Sequence, residues 1–175
     1  RRLPDVNRKL WDRYSADKNP GFRCFRAKLA EVTHVVYGSR FAAVPKNNKE
    51  DRGINVEPTC NSLTQAAISE GVENVLKMEF NIDVAYTQTH HRILVKYARY
   101  ATIDLKAASD SFAIAFMRWI LPPWFFELCD RARSSMVLGL DGDFHVTKKF
   151  MCMGNGFCFS LMTLIFACLI RCLDE

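Results

Sequence analysis

Thr102-Ile103-Asp104-Leu105-Lys106-Ala107-Ala108-Ser109-Asp110-Ser111 contains the change of period on which the fold turns. Before it and into it, Ala101, Ile103 and Leu105 alternate with polar neighbours, so Tyr100–Leu105 reads as a central β-strand. After it, Phe112, Ala115, Phe116 and Trp119 recur at helical spacing, and Asp110 is expected to cap a helix over Ser111–Leu121. A carboxylate at the end of a buried strand, with a second acid six residues on, is costly unless it is used. Phosphoryl transfer by two metals uses such a group, a carboxylate on a rigid strand holding divalent ions about 3.5–4 Å apart. Read plainly, Asp104 is an edge-strand acid in water and Asp110 only a helix cap. The spacing leaves both readings open.

Outward from that stretch the elements are mixed. Asn19-Pro20-Gly21 signals a turn, and Arg26 to Val36 has helical character. Phe41-Ala42-Ala43-Val44 reads as a strand ended by Pro45, and Ile54-Asn55-Val56-Glu57 as another stopped by Pro58. Leu63, Ala67, Val72, Val75 and Leu76 keep helical spacing between Asn61 and Phe80, with Asn61 or Ser62 as cap, and a second helix is expected over Thr87–Tyr97. Pro122-Pro123 ends one helix and opens another through Arg131. Asp141-Gly142 is a hairpin signal between Met136–Leu140 and Asp143–Phe150, and an apolar helix begins near Phe157. Strands and helices mix without regular βαβ alternation, so the fold class is α+β.

The net charge of +5 is uneven: residues 1–53 are net +7 and the remainder net −2. A basic front half suits a polyanion, because released counterions drive phosphate binding, and it equally suits a solvated surface. The seven cysteines include no CxxC pair and no zinc spacing, and they read as buried, reduced thiols of a cytosolic protein. Phe157–Ile170 is uncharged for 14 residues, short of the roughly 20 that span a bilayer, and reads as a core helix. The chain opens on Arg1 rather than Met and stops directly after an apolar run, as expected of a fragment.

Two further segments can carry chemistry. Lys46, Lys49 and Arg52 lie within seven residues on the connection from Val44 to Arg52, a density able to neutralise a triphosphate. A solvated loop is the plainer reading. Gly154-Asn155-Gly156, ahead of the apolar helix, allows a backbone to approach a nucleotide or a template closely, or simply makes a turn.

Taken in order, these segments resemble the replicase β subunit of the leviviruses, the RNA-directed RNA polymerase of the single-stranded RNA phages. The matching pieces are Phe41 to Lys49 through Arg52 with Glu57-Pro58, then Ala101 to Leu105 with Ala107 to Asp110. Leu121-Pro122-Pro123 with Trp124-Phe125 follows, then Met153 to Gly156 with Leu164-Ile165-Phe166-Ala167. They cover about residues 40–172. The resemblance implies a right-hand polymerase, with residues 1–98 in the fingers and 99–175 in the palm. It implies that Asp104 and the Leu105 carbonyl hold Mg²⁺, with Mn²⁺ as the alternative ion. Asp110 would sit near the ribose 2′-OH, aided by Gly154, Asn155 and Gly156. Lys46, Lys49 and Arg52 would line the nucleotide and template entrance. The remaining metal-binding aspartates belong to a Gly-Asp-Asp turn expected beyond Glu175. The implied partners are RNA template and product, nucleoside triphosphates, host elongation factors Tu and Ts and a host ribosomal protein, in the cytoplasm of a bacterium and with no membrane.

Lys106 departs from the family's small residue, and Cys158, Ser160 and Met162 stand where a hydroxyl and two acids are expected. The competing reading is a basic RNA-binding module without catalysis. It accounts for the front-half charge and leaves the Asp104 strand and the glycine turn without a purpose.

Overall fold

In the computed structural model the described residues are 34–48, 50–97, 99, 105 and 107–173. The chain divides into two compact units, Arg1–Tyr37 and Gly38–Glu175. In the first, the described residues His34–Tyr37 form no helix or strand, and the rest of the helix expected over Arg26 to Val36 lies outside the described residues.

The second unit is built on a four-stranded sheet. Strands β1 (Ser39–Pro45) and β2 (Asp51–Val56) form an antiparallel pair running from Arg40 opposite Val56 to Pro45 opposite Asp51. Pro45 ends the strand because it has no N–H to donate. Strands β3 (Met136–Leu138) and β4 (Phe144–Val146) form a second antiparallel pair across the expected Asp141-Gly142 turn. Gly142 adopts φ +85, and Asp141 Oδ1 accepts from Asp143 N at 3.1 Å. The two pairs join through a parallel contact of β1 with β3, giving the order β2-β1-β3-β4. Gly38 admits this contact, since a Cβ there would strike the Met136 carbonyl. Strands from both sides of residue 98 thus share one sheet.

Five helices accompany the sheet among the described residues. Helix α1 (Thr59–Phe80) turns one stripe inward: Gln65, Ile68, Val72 and Leu76 are buried. It starts at Thr59 with Pro58 as N-cap and no side-chain cap, so neither Asn61 nor Ser62 performs that role. Asn61 is engaged elsewhere, donating to Glu57 Oε2 at 3.1 Å and Ser134 Oγ at 3.3 Å. Helix α2 (Thr87–Leu94) stops short of Tyr97, because Lys96 and Tyr97 tighten into bonds to Ile93 and Leu94, three residues back.

Helices α3 (Ile114–Ile120) and α4 (Pro123–Ala132) flank Leu121-Pro122, as the proline pair requires. Helix α5 (Cys158–Leu173) is the expected apolar helix. No described helix is long and apolar enough to cross a membrane. Leu76, Met117, Cys129, Phe150, Met151, Phe157 and Leu161 form the centre of the core, with Phe150 stacked on Phe126 at 5.1 Å.

Three further sequence readings change here. The helix expected to begin at Ser111 begins at Ile114, behind a separate 3₁₀ turn over Ser109–Ser111. Tertiary pairing takes the intervening backbone: Phe150 N donates to Phe112 O at 2.8 Å, Ile114 N donates to Lys148 O at 3.2 Å, and Ala113 bridges Lys149. Asp110 therefore caps no α-helix. The inward face of α3 also differs: Met117 is buried, whereas Phe116 is partly exposed and Trp119 is 82% exposed. Finally, Cys129 and Cys158 are buried as expected, but Cys60, Cys168 and Cys172 are exposed. The strand expected over Tyr100–Leu105 lies outside the described residues apart from Leu105, which is in no regular element.

Candidate functional site

The glycine turn is the best-anchored of the three segments. Gly154 has φ +95, a region that L side chains rarely adopt, and a Cβ there would strike the Asn55 carbonyl of β2. Asn55 N donates to Met153 O at 2.8 Å, so the turn is fastened to the strand that follows the basic loop. On the other side Gly156 N donates to Gln65 Oε1 at 2.8 Å, while Gln65 Nε2 donates to Ala132 O at 2.9 Å. One fully buried amide thus ties α1 to the end of α4 and to the turn. Asn155 is itself buried, its Oδ1 accepting from Phe157 N at 3.3 Å, so its first task is to shape the entry to α5.

The described end of the acid segment packs against the helix that this turn leads into. Ala107 adopts φ 55 and swings the chain into the 3₁₀ turn, where Ser109 is buried and Asp110 faces outward. That turn packs against α5. Asp110 Oδ1 lies 2.9 Å from Lys149 Nζ. Burial pushes the Cys158 thiol up to about 11, with the charges of Cys152 and Asp110 adding to the rise. The Cys152 thiol is also raised, by burial first, with Lys149 opposing and Asp110 reinforcing the shift. Asp110 is therefore paired with Lys149 on a turn that packs against the helix following the glycine turn.

The basic loop is less constrained. Lys46 N and Asn47 N donate to Glu50 O at 3.0 and 3.3 Å, and Lys46 Nζ is 3.8 Å from a Glu50 carboxylate oxygen, both side chains exposed. Such a pair contributes little, which leaves the ammonium usable by a ligand. Arg52 is exposed on β2, and Lys49 lies outside the described residues. Asp104 also lies outside them, and Leu105 is 51% exposed. Among the described residues no three His, Cys, Asp or Glu side chains gather as a metal site.

Sequence reading missed Gln65, Asn55 and Lys149. For Gln65 a signal existed, a polar residue at the inward positions shared with Ile68, Val72 and Leu76. The departures at α5 also gain a physical setting. Cys158 is a buried thiol, Ser160 Oγ is 2.8 Å from Ser69 Oγ and donates to Phe157 O at 3.2 Å, and Met162 packs against the core.

Residues 16–175 match the family model described as RNA replicase, beta-chain. The chain belongs to that family. Among its relatives, the RNA-directed RNA polymerase subunit beta of Qbeta virus (strain MX1) is 36% identical over 148 residues, covering 82% of this chain and 25% of the relative. The corresponding subunit of Enterobacteria phage SP is 34% identical over 149 residues, again 82% and 25%. The RNA-directed RNA polymerase beta chain of Escherichia phage MS2 is 34% identical over 140 residues, 78% and 25%. This replicase beta-chain segment spans about a quarter of the length of these relatives. The mixed α and β architecture and its small sheet are consistent with part of a polymerase.

Proposed function

We propose that this chain is the fingers-to-palm portion of an RNA-directed RNA polymerase that joins nucleoside triphosphates on an RNA template. In this reading residues 1–98 belong to the fingers and 99–175 to the palm. The observation that supports it most is the packing of the Asp110 turn against α5, the helix that the glycine turn leads into, in a member of the replicase beta-chain family. Asp110 would accept a hydrogen bond from the ribose 2′-OH. Gly154 and Gly156 would let the backbone approach the nucleotide or template, with Asn155 holding their geometry. Lys46, Lys49 and Arg52 would offset the triphosphate charge at the entrance.

Asp104, with the Leu105 carbonyl and the Gly-Asp-Asp aspartates expected beyond Glu175, would hold Mg²⁺ or Mn²⁺. Such ions activate the 3′-OH and stabilise the leaving oxygen. The polymerase would act in the cytoplasm of a bacterial host, with elongation factors Tu and Ts and a ribosomal protein as partners.

The test is nucleotide incorporation by the full-length polymerase. Asp104→Asn keeps shape but removes the charge, so RNA binding should persist while synthesis falls by ~10³ or more, since that charge acts mainly on the transition state. Asp110→Asn should retain synthesis and lose preference for GTP over dGTP. Normal synthesis by Asp104→Asn ends the polymerase reading of this site and leaves the RNA-binding module.

A further inference from the structure

We infer that Lys149 is a positioning residue for Asp110, holding its carboxylate ready for the sugar of the incoming nucleotide; this rests on the reading of Asp110 as the ribose contact. Lys149 Nζ is 2.9 Å from Asp110 Oδ1, and both side chains are about half exposed. An ion pair of that kind on a mobile surface contributes almost nothing. Here the mount is packed and hydrogen-bonded. The residue after Lys149, Phe150, is buried, stacked on Phe126, and has the Arg133 guanidinium 5.3 Å above its ring. Arg133 in turn bonds Asp130 Oδ1 at 2.9 Å and Thr147 Oγ1 at 3.1 Å. The backbone on either side of Lys149 is fastened to the residues just after Asp110, through Phe150 N to Phe112 O and Ile114 N to Lys148 O.

The same short bridge therefore fixes the bases of both side chains. Asp110 stands on a three-residue 3₁₀ turn, which by itself gives a carboxylate no preferred direction. Lys149 supplies one. An ammonium donating to Oδ1 leaves acceptor capacity on the carboxylate for a hydroxyl. It also offsets repulsion between Asp110 and a nearby triphosphate. Lys149 also stands only five residues ahead of Gly154 in the chain.

The experiment compares GTP and dGTP incorporation by the full-length polymerase carrying Lys149→Met, Lys149→Arg, Asp110→Asn, or Lys149→Met with Asp110→Asn. Lys149→Met should lower the preference for GTP by about two- to fivefold, through KM for GTP and with kcat nearly unchanged. Lys149→Arg should restore it. The double variant should be no worse than Asp110→Asn, because Lys149 acts through that carboxylate. Retained preference in Lys149→Met, alongside lost preference in Asp110→Asn, overturns the role of Lys149. Equal losses with GTP and dGTP, or additive losses in the double variant, also overturn it. Retained preference in Asp110→Asn instead removes the ribose-contact reading itself, so the two failures are distinguishable.

Discussion

Replacing Gln65 by Leu removes a side chain that holds the glycine turn to the helices behind it. Gln65 is fully buried, and its amide satisfies the Ala132 carbonyl at 2.9 Å and the Gly156 N–H at 2.8 Å. Leu is similar in size, so the cavity left is small and the loss is polar. A buried backbone group without a partner costs about 1–3 kcal/mol. Ala132 is 4% exposed and bears that cost in full, whereas Gly156 is exposed enough for water to replace part of the bond. The net is about 2–3 kcal/mol, after allowing for the apolar surface that Leu buries. At about 1.4 kcal/mol per tenfold, local opening becomes roughly 30- to 150-fold more frequent. Hydrogen–deuterium exchange by mass spectrometry, on peptides covering residues 150–160 of the full-length polymerase, reads this directly. Exchange within twofold of the unaltered protein refutes the claim that Gln65 fastens the turn.

The other predictions concern the turn, the loop and the thiols. Gly154→Ala forces φ +95 on an L residue and drives a Cβ into the Asn55 carbonyl, so it should break the Asn55 to Met153 bond and lower local stability by about 2–3 kcal/mol. Gly142→Ala has open space around it and should cost only the positive-φ penalty of about 1 kcal/mol, a contrast measurable by hydrogen–deuterium exchange on peptides covering residues 136–146. Replacing Lys46, Lys49 and Arg52 together by Ala should flatten the log–log salt dependence of RNA binding by nearly one unit per lost phosphate contact, and an unchanged slope returns the loop to a solvated surface. The Cys129 thiol, pushed from 9.0 to about 12 by burial and then by Asp130, and the Cys158 thiol, pushed to about 11, bind their protons more tightly when folded. Their contribution is fully present below pH 9 and is lost as pH rises toward 11–12, so alkaline titration should expose both to alkylation well after the exposed Cys60, Cys168 and Cys172. Early labelling of Cys129 contradicts the burial.

Local chemistry was enough to read much of this chain from its residues. Proline and glycine punctuation marked the end of β1 at Pro45, the start of α4 and the Asp141-Gly142 hairpin, because those residues restrict or free their own backbone. Roughly helical apolar spacing marked α1, although Leu63, Ala67 and Val75 prove exposed and the buried stripe is Gln65, Ile68, Val72 and Leu76, and an uncharged apolar run marked α5. The ordered motifs were enough to point to the replicase family. The tertiary structure alone decided what depends on a partner distant in sequence. The parallel contact of β1 with β3 pairs residues 98 positions apart, and nothing in either strand encodes it. Asp110 failed as a helix cap because the Lys148–Phe150 backbone claimed the residues that follow it. Gln65 gained its role only when Ala132 and Gly156 arrived on either side of it. Period and turn residues act over a few positions, whereas the hydrogen bonds that shape the candidate site exist only once the chain has closed loops of tens of residues.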